Sequence, residues 1–122
     1  MTRKALVLVP LVAVSALIAT AASGQRTAAP RLNGTVGPDY TITLKQNSKV
    51  VKTLKAGSYK LVIADKAQTH AFSLDGPHGY AKYFTKVPFV GTKTLIVTLR
   101  AGGYKYYCPP HEPFMFGRFK VT

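Results

Sequence analysis

Hydrophobic and polar residues alternate in short runs along most of the chain, and Gly, Pro or Asp residues separate these runs. Alternation with a period of two is typical of strands that pack one face on a core. After residue 25, no segment keeps a helical period over three turns. The pattern predicts about seven strands, at residues 40–44, 50–54, 59–63, 70–74, 94–99, 104–108 and 116–121.

Short strands at this spacing predict an all-β Greek-key sandwich of two packed antiparallel sheets. An immunoglobulin-type sandwich is the nearest alternative. The chain has one Cys and no Trp, however, so it lacks the disulfide and the Trp that are usual in the core of that fold. Residues 78–91 are the least regular segment, and we expect a long loop or a short helical turn there. The chain has 122 residues, of which 47% are hydrophobic, so it can bury the core of a single domain.

The N-terminal segment has the pattern of a secretory signal peptide. Arg3 and Lys4 precede an apolar run over residues 5–19, and small residues follow. We therefore assign residues 1–24 to a signal peptide. An uncleaved membrane anchor is the alternative, because the run approaches the ~20 residues that a spanning helix needs.

Export predicts a periplasmic, cell-envelope or extracellular protein with no transmembrane span in its mature form. Residues 25–38 mix Ala, Pro, Gly, Thr and Asn, and this composition predicts a flexible N-terminal arm. Residues 39–122 then form the folded domain. Because there is one cysteine, no intrachain disulfide can form in an oxidising compartment.

The candidate chemistry lies between the last two predicted strands, where Cys108, His111 and Met115 fall within eight residues. A thiolate, an imidazole and a thioether form a soft ligand set that favours copper, and blue-copper sites combine one Cys and two His with a weak Met. The second His must come from elsewhere in the chain, either His70 or His78. The alternative roles are a buried apolar Cys108, a satisfied core His70 and a core-filling Met115.

In residues 65–72 and 107–117 the sequence resembles the cupredoxins, the blue-copper proteins. The resemblance implies a cupredoxin-like domain that holds one copper ion, Cu(I) or Cu(II), through His70, Cys108, His111 and Met115. The chain differs from related loops in having three residues between His111 and Met115, rather than two or four. It also has Ala71 where Asn is common after the first His; its backbone N–H is expected to reach the Cys108 sulfur.

The resemblance leads us to expect an exported, mononuclear type 1 copper protein that acts as a one-electron carrier and not as an enzyme. A Cys108–His111 nucleophilic pair would lack an orienting partner in the motif, and Pro109 and Pro110 leave few backbone donors for an oxyanion hole. Two alternatives remain open at this point. They are a protein for copper delivery or sequestration that uses the same ligands, and a metal-free β-sandwich surface module.

Charge suggests the kind of partner. Lys and Arg number 17 against four Asp and Glu, for a net charge of +13. Such a field favours an acidic redox partner protein or an anionic envelope surface. Nucleic acid is not expected, because the protein is exported and its lysines are scattered rather than clustered. We expect a monomer.

Overall fold

The computed structural model describes residues 28–122 and, before them, only isolated positions, namely Thr2, Ala5, Val7, Pro10, Val12, Ala13 and Ser15. The expected signal peptide therefore lies outside the described residues, apart from these positions. Residues 28–122 form two five-stranded sheets. In spatial order the first sheet contains β3 (Lys49–Val50), β2 (Ile42–Gln46), β1 (Arg31–Val36), β5 (Gly57–Asp65) and β8 (Gly91–Leu99). The second contains β4 (Thr53–Leu54), β10 (Phe116–Val121), β9 (Gly102–Tyr107), β6 (Ser73–Asp75) and β7 (Ala81–Tyr83).

The predicted all-β sandwich is confirmed, but the prediction of wholly antiparallel sheets is wrong. Strand β1 runs parallel to β5, and β4 runs parallel to β10. The described residues also form ten strands rather than about seven. One reason is that the predicted strand at residues 50–54 splits, since β3 joins the first sheet and β4 the second. The chain crosses between the sheets in the two residues that separate these strands.

The prediction of a flexible arm is wrong over Arg31–Val36, because this segment is β1 and lies between β2 and β5. Leu32, Gly34 and Val36 point inwards and are buried. The mixture of Ala, Pro, Gly, Thr and Asn over residues 25–38 predicts an arm, because Pro, Gly and Asn are depleted in strands. Gly34 lets the two segments approach closely, because a Cβ atom at this position would lie 3.0 Å from the ring of Phe72 and the ring would have to shift slightly. Residues 25–27 lie outside the described residues.

The core forms where the inward faces of the two sheets meet. Along β5, buried Tyr59, Leu61 and Ile63 alternate with more exposed residues, as the period of two predicts. From the second sheet, the ring of Tyr106 stacks on that of Phe72 with centroids 6.0 Å apart and planes 7° apart. Each such side chain contributes about 1.5–3 kcal/mol through burial.

The segment at residues 78–91 is less irregular than the sequence indicates. It begins within a 3-10 turn at Pro77–Gly79, which matches the expected short helical turn, then contains the short strand β7, and only then forms a loop. Across the described positions, no helix combines the length and the apolar character needed to traverse a bilayer.

The strands run between two ends of the sandwich. We call the upper end the one where Val36 pairs with Asp65 and Tyr107 pairs with Phe116. The lower end is where Gly57 pairs with Leu99 and Gly102 pairs with Val121. Strand β5 spans nine residues between them, which corresponds to about 26 Å.

Candidate metal centre

Three of the four ligands implied by the sequence meet at the upper end. His70 lies in the loop between β5 and β6, Cys108 directly follows β9, and His111 ends a 3-10 turn at Pro109–His111. The Cys108 Sγ atom is 3.7 Å from His70 Nδ1 and 3.6 Å from His111 Nδ1, and the two Nδ1 atoms are 3.2 Å apart. Residues separated by 38 positions in the sequence therefore present their donor atoms to one point.

These donor atoms form a nearly equilateral triangle that fits a metal ion. The centre of a triangle of this size lies about 2 Å from each corner, close to the lengths of metal bonds to His nitrogen and Cys sulfur. One sulfur and two imidazole nitrogens form the donor set of a trigonal copper site. The arrangement of these side chains, as well as their types, is therefore suited to copper.

His70 is held by a short loop rather than by a strand. The sequence predicts that His70 begins a strand, but β6 begins only at Ser73. The backbone N–H of His70 donates to the carbonyl of Ala67 at 3.2 Å, and that of Phe72 donates to Thr85 Oγ1 at 2.8 Å. These bonds take the place of strand pairing in this loop. The backbone therefore directs the side chain of His70, which is 2% exposed, towards Cys108.

The loop that carries Cys108, His111 and Met115 is closed by its own backbone. The N–H of His111 donates to the Cys108 carbonyl at 2.9 Å, and the N–H of Met115 donates to the His111 carbonyl at 2.9 Å. The N–H of Cys108 donates in turn to the Met115 carbonyl at 3.0 Å. Strands β9 and β10 pair directly below, so the loop is fixed at both of its ends.

The Cys108 sulfur is buried and accepts one backbone hydrogen bond. Its residue is 0% exposed, and the N–H of Ala71 lies 3.4 Å from Sγ, which confirms the contact expected from the sequence. Burial raises the pKa of the Cys108 thiol, and the charge of Asp65 adds to this rise, while the backbone N–H groups of Ala71 and His111 oppose it. Without a metal ion the neutral thiol is therefore favoured.

An aromatic rim surrounds His111, which is partly exposed. The ring of Tyr40 contacts His70 and His111 edge-on, with centroid distances of 5.5 and 5.1 Å. Phe114 lies 5.5 Å from His111 and 5.7 Å from Tyr40. Tyr40 and Phe114 are 65% and 60% exposed, so they form an open rim rather than a closed lid.

Sequence analysis missed Tyr40, which the pattern placed at the start of a strand. In the structure it lies in the loop between β1 and β2, because β2 begins only at Ile42. The available signal was the preceding Pro38 and Asp39, which are typical turn residues. These turn residues alone do not place Tyr40 beside the histidines. That placement also requires strand β1, which ends at the upper end.

Met115 and His78 occupy very different positions. Met115 is 1% exposed and belongs to the buried core directly after the ligand loop. His78 is exposed in the turn after β6, and the neighbouring Pro77 packs against Gly102 at the lower end. Among the described residues, the group of side chains able to hold a metal ion contains His70 and not His78. The ligand role of Met115 stays a prediction.

A shallow groove of about 300 Å³ lies beside the ligand loop. Ala71, Val87, Pro109 and Pro110 form much of its apolar lining, and Lys86 lies at the same groove. The surface next to the candidate centre is therefore largely uncharged and apolar.

Solved structures with a similar fold are copper proteins. The chain superposes on rusticyanin, described as a copper protein, with a TM-score of 0.55 and 17% identity over 75% of this chain and 76% of that one. Rusticyanin from Thiobacillus ferrooxidans in another structure gives 0.51 and 20% over 75% and 76%. An amicyanin variant with Cu(I) gives 0.50 and 14% over 76% and 83%. No family model matches the sequence, and no curated protein does either. The chain thus has the cupredoxin fold.

Proposed function

We propose that this chain is an exported, mononuclear type 1 copper protein that carries one electron at a time. The observation that carries the proposal is the compact triangle of His70 Nδ1, Cys108 Sγ and His111 Nδ1 at the end of a cupredoxin sandwich. The copper ion would be held by these three atoms and by the Met115 thioether. When bound, copper supplies a change of one electron between Cu(I) and Cu(II).

The residues of the chain keep the ligands in place while the charge changes. Backbone hydrogen bonds close the loop from Cys108 to Met115, and the Ala71 N–H holds the sulfur. Pro109 and Pro110 further restrict the backbone of this loop. Because the ligands cannot move far, little reorganisation accompanies the transfer of an electron.

His111 offers a route for electrons between the centre and the surface. Its partly exposed ring lies between Tyr40 and Phe114, whereas His70 and Cys108 are buried. Exposed aromatic side chains around a ligand edge suit brief contact with another protein. We propose that a redox partner docks here. The net charge of +13 favours an acidic redox partner protein or an anionic envelope surface as what the protein binds.

The test is the absorption of purified protein after addition of Cu(II). We expect an intense visible charge-transfer band that disappears in Cys108→Ser, because the thiolate is its source. His70→Gln should weaken or abolish the band, whereas the matched control His78→Gln should keep it. A Cys108→Ser protein that stays intensely coloured would overturn the assignment.

The same samples separate an electron carrier from a copper delivery protein. A carrier should retain copper in the presence of a chelator and show fast, reversible voltammetry. A pale protein that gives up its copper readily would support delivery or sequestration with the same ligands.

A further inference from the structure

Lysines and arginines that are scattered along the sequence place eight exposed cationic side chains in the lower half of the sandwich. They come from strand ends and turns that pairing brings to one end, because Gly57 lies opposite Leu99 and Gly102 lies opposite Val121. We call this group the basic pole. Its members are Arg31, Lys45, Lys49, Lys52, Lys55, Lys60, Arg100 and Lys120.

The basic pole has no acidic residue to balance it. The four acidic residues of the whole sequence are Asp39, Asp65, Asp75 and Glu112. Asp39 and Asp65 lie at the upper end, and Glu112 pairs with Lys105 at 3.0 Å. Asp75 lies opposite Lys105 along β9 and accepts a hydrogen bond from the Tyr107 hydroxyl at 3.2 Å. Positive charge is therefore concentrated in the half of the molecule away from the metal centre.

The chain also enters the domain at this end. Strand β1 begins at Arg31, and the Pro30 carbonyl just before it accepts a hydrogen bond from the Lys60 N–H at 2.9 Å. The apolar run over residues 5–19 precedes this point by a short segment. The first residues of the described domain, Pro30 and Arg31, thus lie in the same half of the molecule as the basic pole.

We infer that the basic pole binds the anionic headgroups of a lipid bilayer. Clusters of four to eight Lys and Arg residues are attracted to anionic membrane surfaces, and each charge adds to the affinity. The attraction decays within a Debye length of about 8 Å at physiological salt. The metal centre, about 26 Å away along β5, then faces away from the membrane. The inference develops the partner part of the proposed function, but binding at the pole does not depend on copper.

A bilayer fits this surface better than an acidic protein does. Protein interfaces depend on buried aromatic or apolar anchors, and such side chains are exposed at the upper end, for example Tyr40, Phe114 and Val87. Among the described residues, the large exposed apolar side chains in this half are Val50 and Ile96, and Ile96 lies opposite Lys60. Neither is aromatic, and a broad charged surface with two aliphatic side chains suits a layer of mobile headgroups.

The experiment measures sedimentation with vesicles of phosphatidylcholine that contain about a third phosphatidylglycerol. The full-length gene is expressed with its own N-terminal segment, and vesicles of phosphatidylcholine alone report any binding by apolar sequence. We expect binding to the anionic vesicles that falls with rising salt. The triple change Lys49→Gln, Lys52→Gln and Lys55→Gln should weaken it by about tenfold or more.

A matched control removes the same charge from the other half of the molecule, through Lys66→Gln, Lys86→Gln and Lys93→Gln. This variant should bind the anionic vesicles much more tightly than the pole variant does. Equal losses in the two variants would mean that only net charge matters, and this would overturn the basic pole. Binding of the pole to polyaspartate but not to vesicles would favour an acidic protein and would also overturn the proposal.

Orientation can be measured because the chain contains no Trp. Ala101→Trp places a single fluorophore in the turn between β8 and β9, and Phe114→Trp places one beside the metal centre. A spin-labelled headgroup should quench the first fluorophore strongly and the second weakly, in metal-free as in copper-loaded protein. The reverse order would refute the orientation, whereas failure to bind copper would leave this result unchanged and would count only against the proposed function.

Discussion

The two ends of this sandwich are joined by the same strands and differ in almost every surface property. At the upper end, loops hold buried donor atoms under an aromatic rim, and all of the exposed acidic character of the chain lies there or midway along the sheets. At the lower end, tight turns carry exposed cations and no acidic side chains. The difference shows that one sheet framework can separate a site that needs desolvation from a surface that needs charge.

A change of pH should alter copper binding at the upper end much more than vesicle binding at the lower end, and this is the largest difference that we expect. Copper must displace the proton of Cys108, whose pKa is raised by burial, so copper affinity should fall about tenfold for each pH unit below that pKa. Between pH 8 and 6 this amounts to about a hundredfold loss. Vesicle binding should change little over this range, because it depends on Lys and Arg side chains and not on the Cys108 thiol. Competition titrations with a chelator at several pH values check the first part, and a flat copper affinity would contradict it.

Tyr40 tests whether the rim stabilises the centre. Its ring contacts both imidazoles, and aromatic contacts of this kind contribute about 0.5–1.5 kcal/mol. Tyr40→Ala should therefore release copper to a chelator up to about tenfold faster, whereas Tyr40→Phe keeps the ring and should release it at nearly the original rate. Unchanged release from Tyr40→Ala would show that the ring only covers the histidines.

Met115 tests the weakest part of the ligand set. Met115→Leu conserves volume and should cost less than about 1.5 kcal/mol of folding stability. We expect the variant to keep copper and its colour, with a raised reduction potential, because loss of a thioether donor disfavours Cu(II) more than Cu(I). Voltammetry and absorption measure both quantities. Complete loss of copper would mean that Met115 is a strong ligand or a structural one.

The smallest effect should come from the basic pole on electron transfer. Oxidation of the reduced protein by a small anionic oxidant, hexacyanoferrate(III), should occur near His111, and the pole lies several Debye lengths away. The pole variant, with Lys49, Lys52 and Lys55 changed to Gln, should alter the rate less than about twofold. The control that neutralises Lys66, Lys86 and Lys93 should slow it more. A larger effect from the pole would place the electron route elsewhere.

The sequence indicates which side chains cluster at the upper end better than it predicts the strands around them. Cys108 and His111 could be singled out because copper favours particular donor atoms, whose types and spacing are visible in one chain, whereas His70 is chosen over His78 only through the resemblance to cupredoxins. Strand β1 could not be found, because Asn33 and Gly34 are poor strand residues and the reason for Gly34 is the distant ring of Phe72.

Tertiary contacts also decide the other differences. The apparent strand over residues 50–54 divides because its two ends find partners in different sheets. Tyr40 reaches the histidines only through the loop that β1 and β2 create. The parallel pairing of β1 with β5 likewise depends on the path of the chain between the two strands. The alternation of hydrophobic and polar residues carries no information about that path.

The close approach of Gly34 to Phe72 has a consequence for how such a sequence can diverge. A side chain at position 34 would push a ring that follows His70 and Ala71 directly in the chain, so we expect a replacement there to be tolerated best beside a smaller residue at position 72. Positions 34 and 72 should therefore change together in a lineage, although 38 residues separate them and neither is a ligand. Related sequences that keep the loop that holds the metal should therefore show paired substitutions at these two positions.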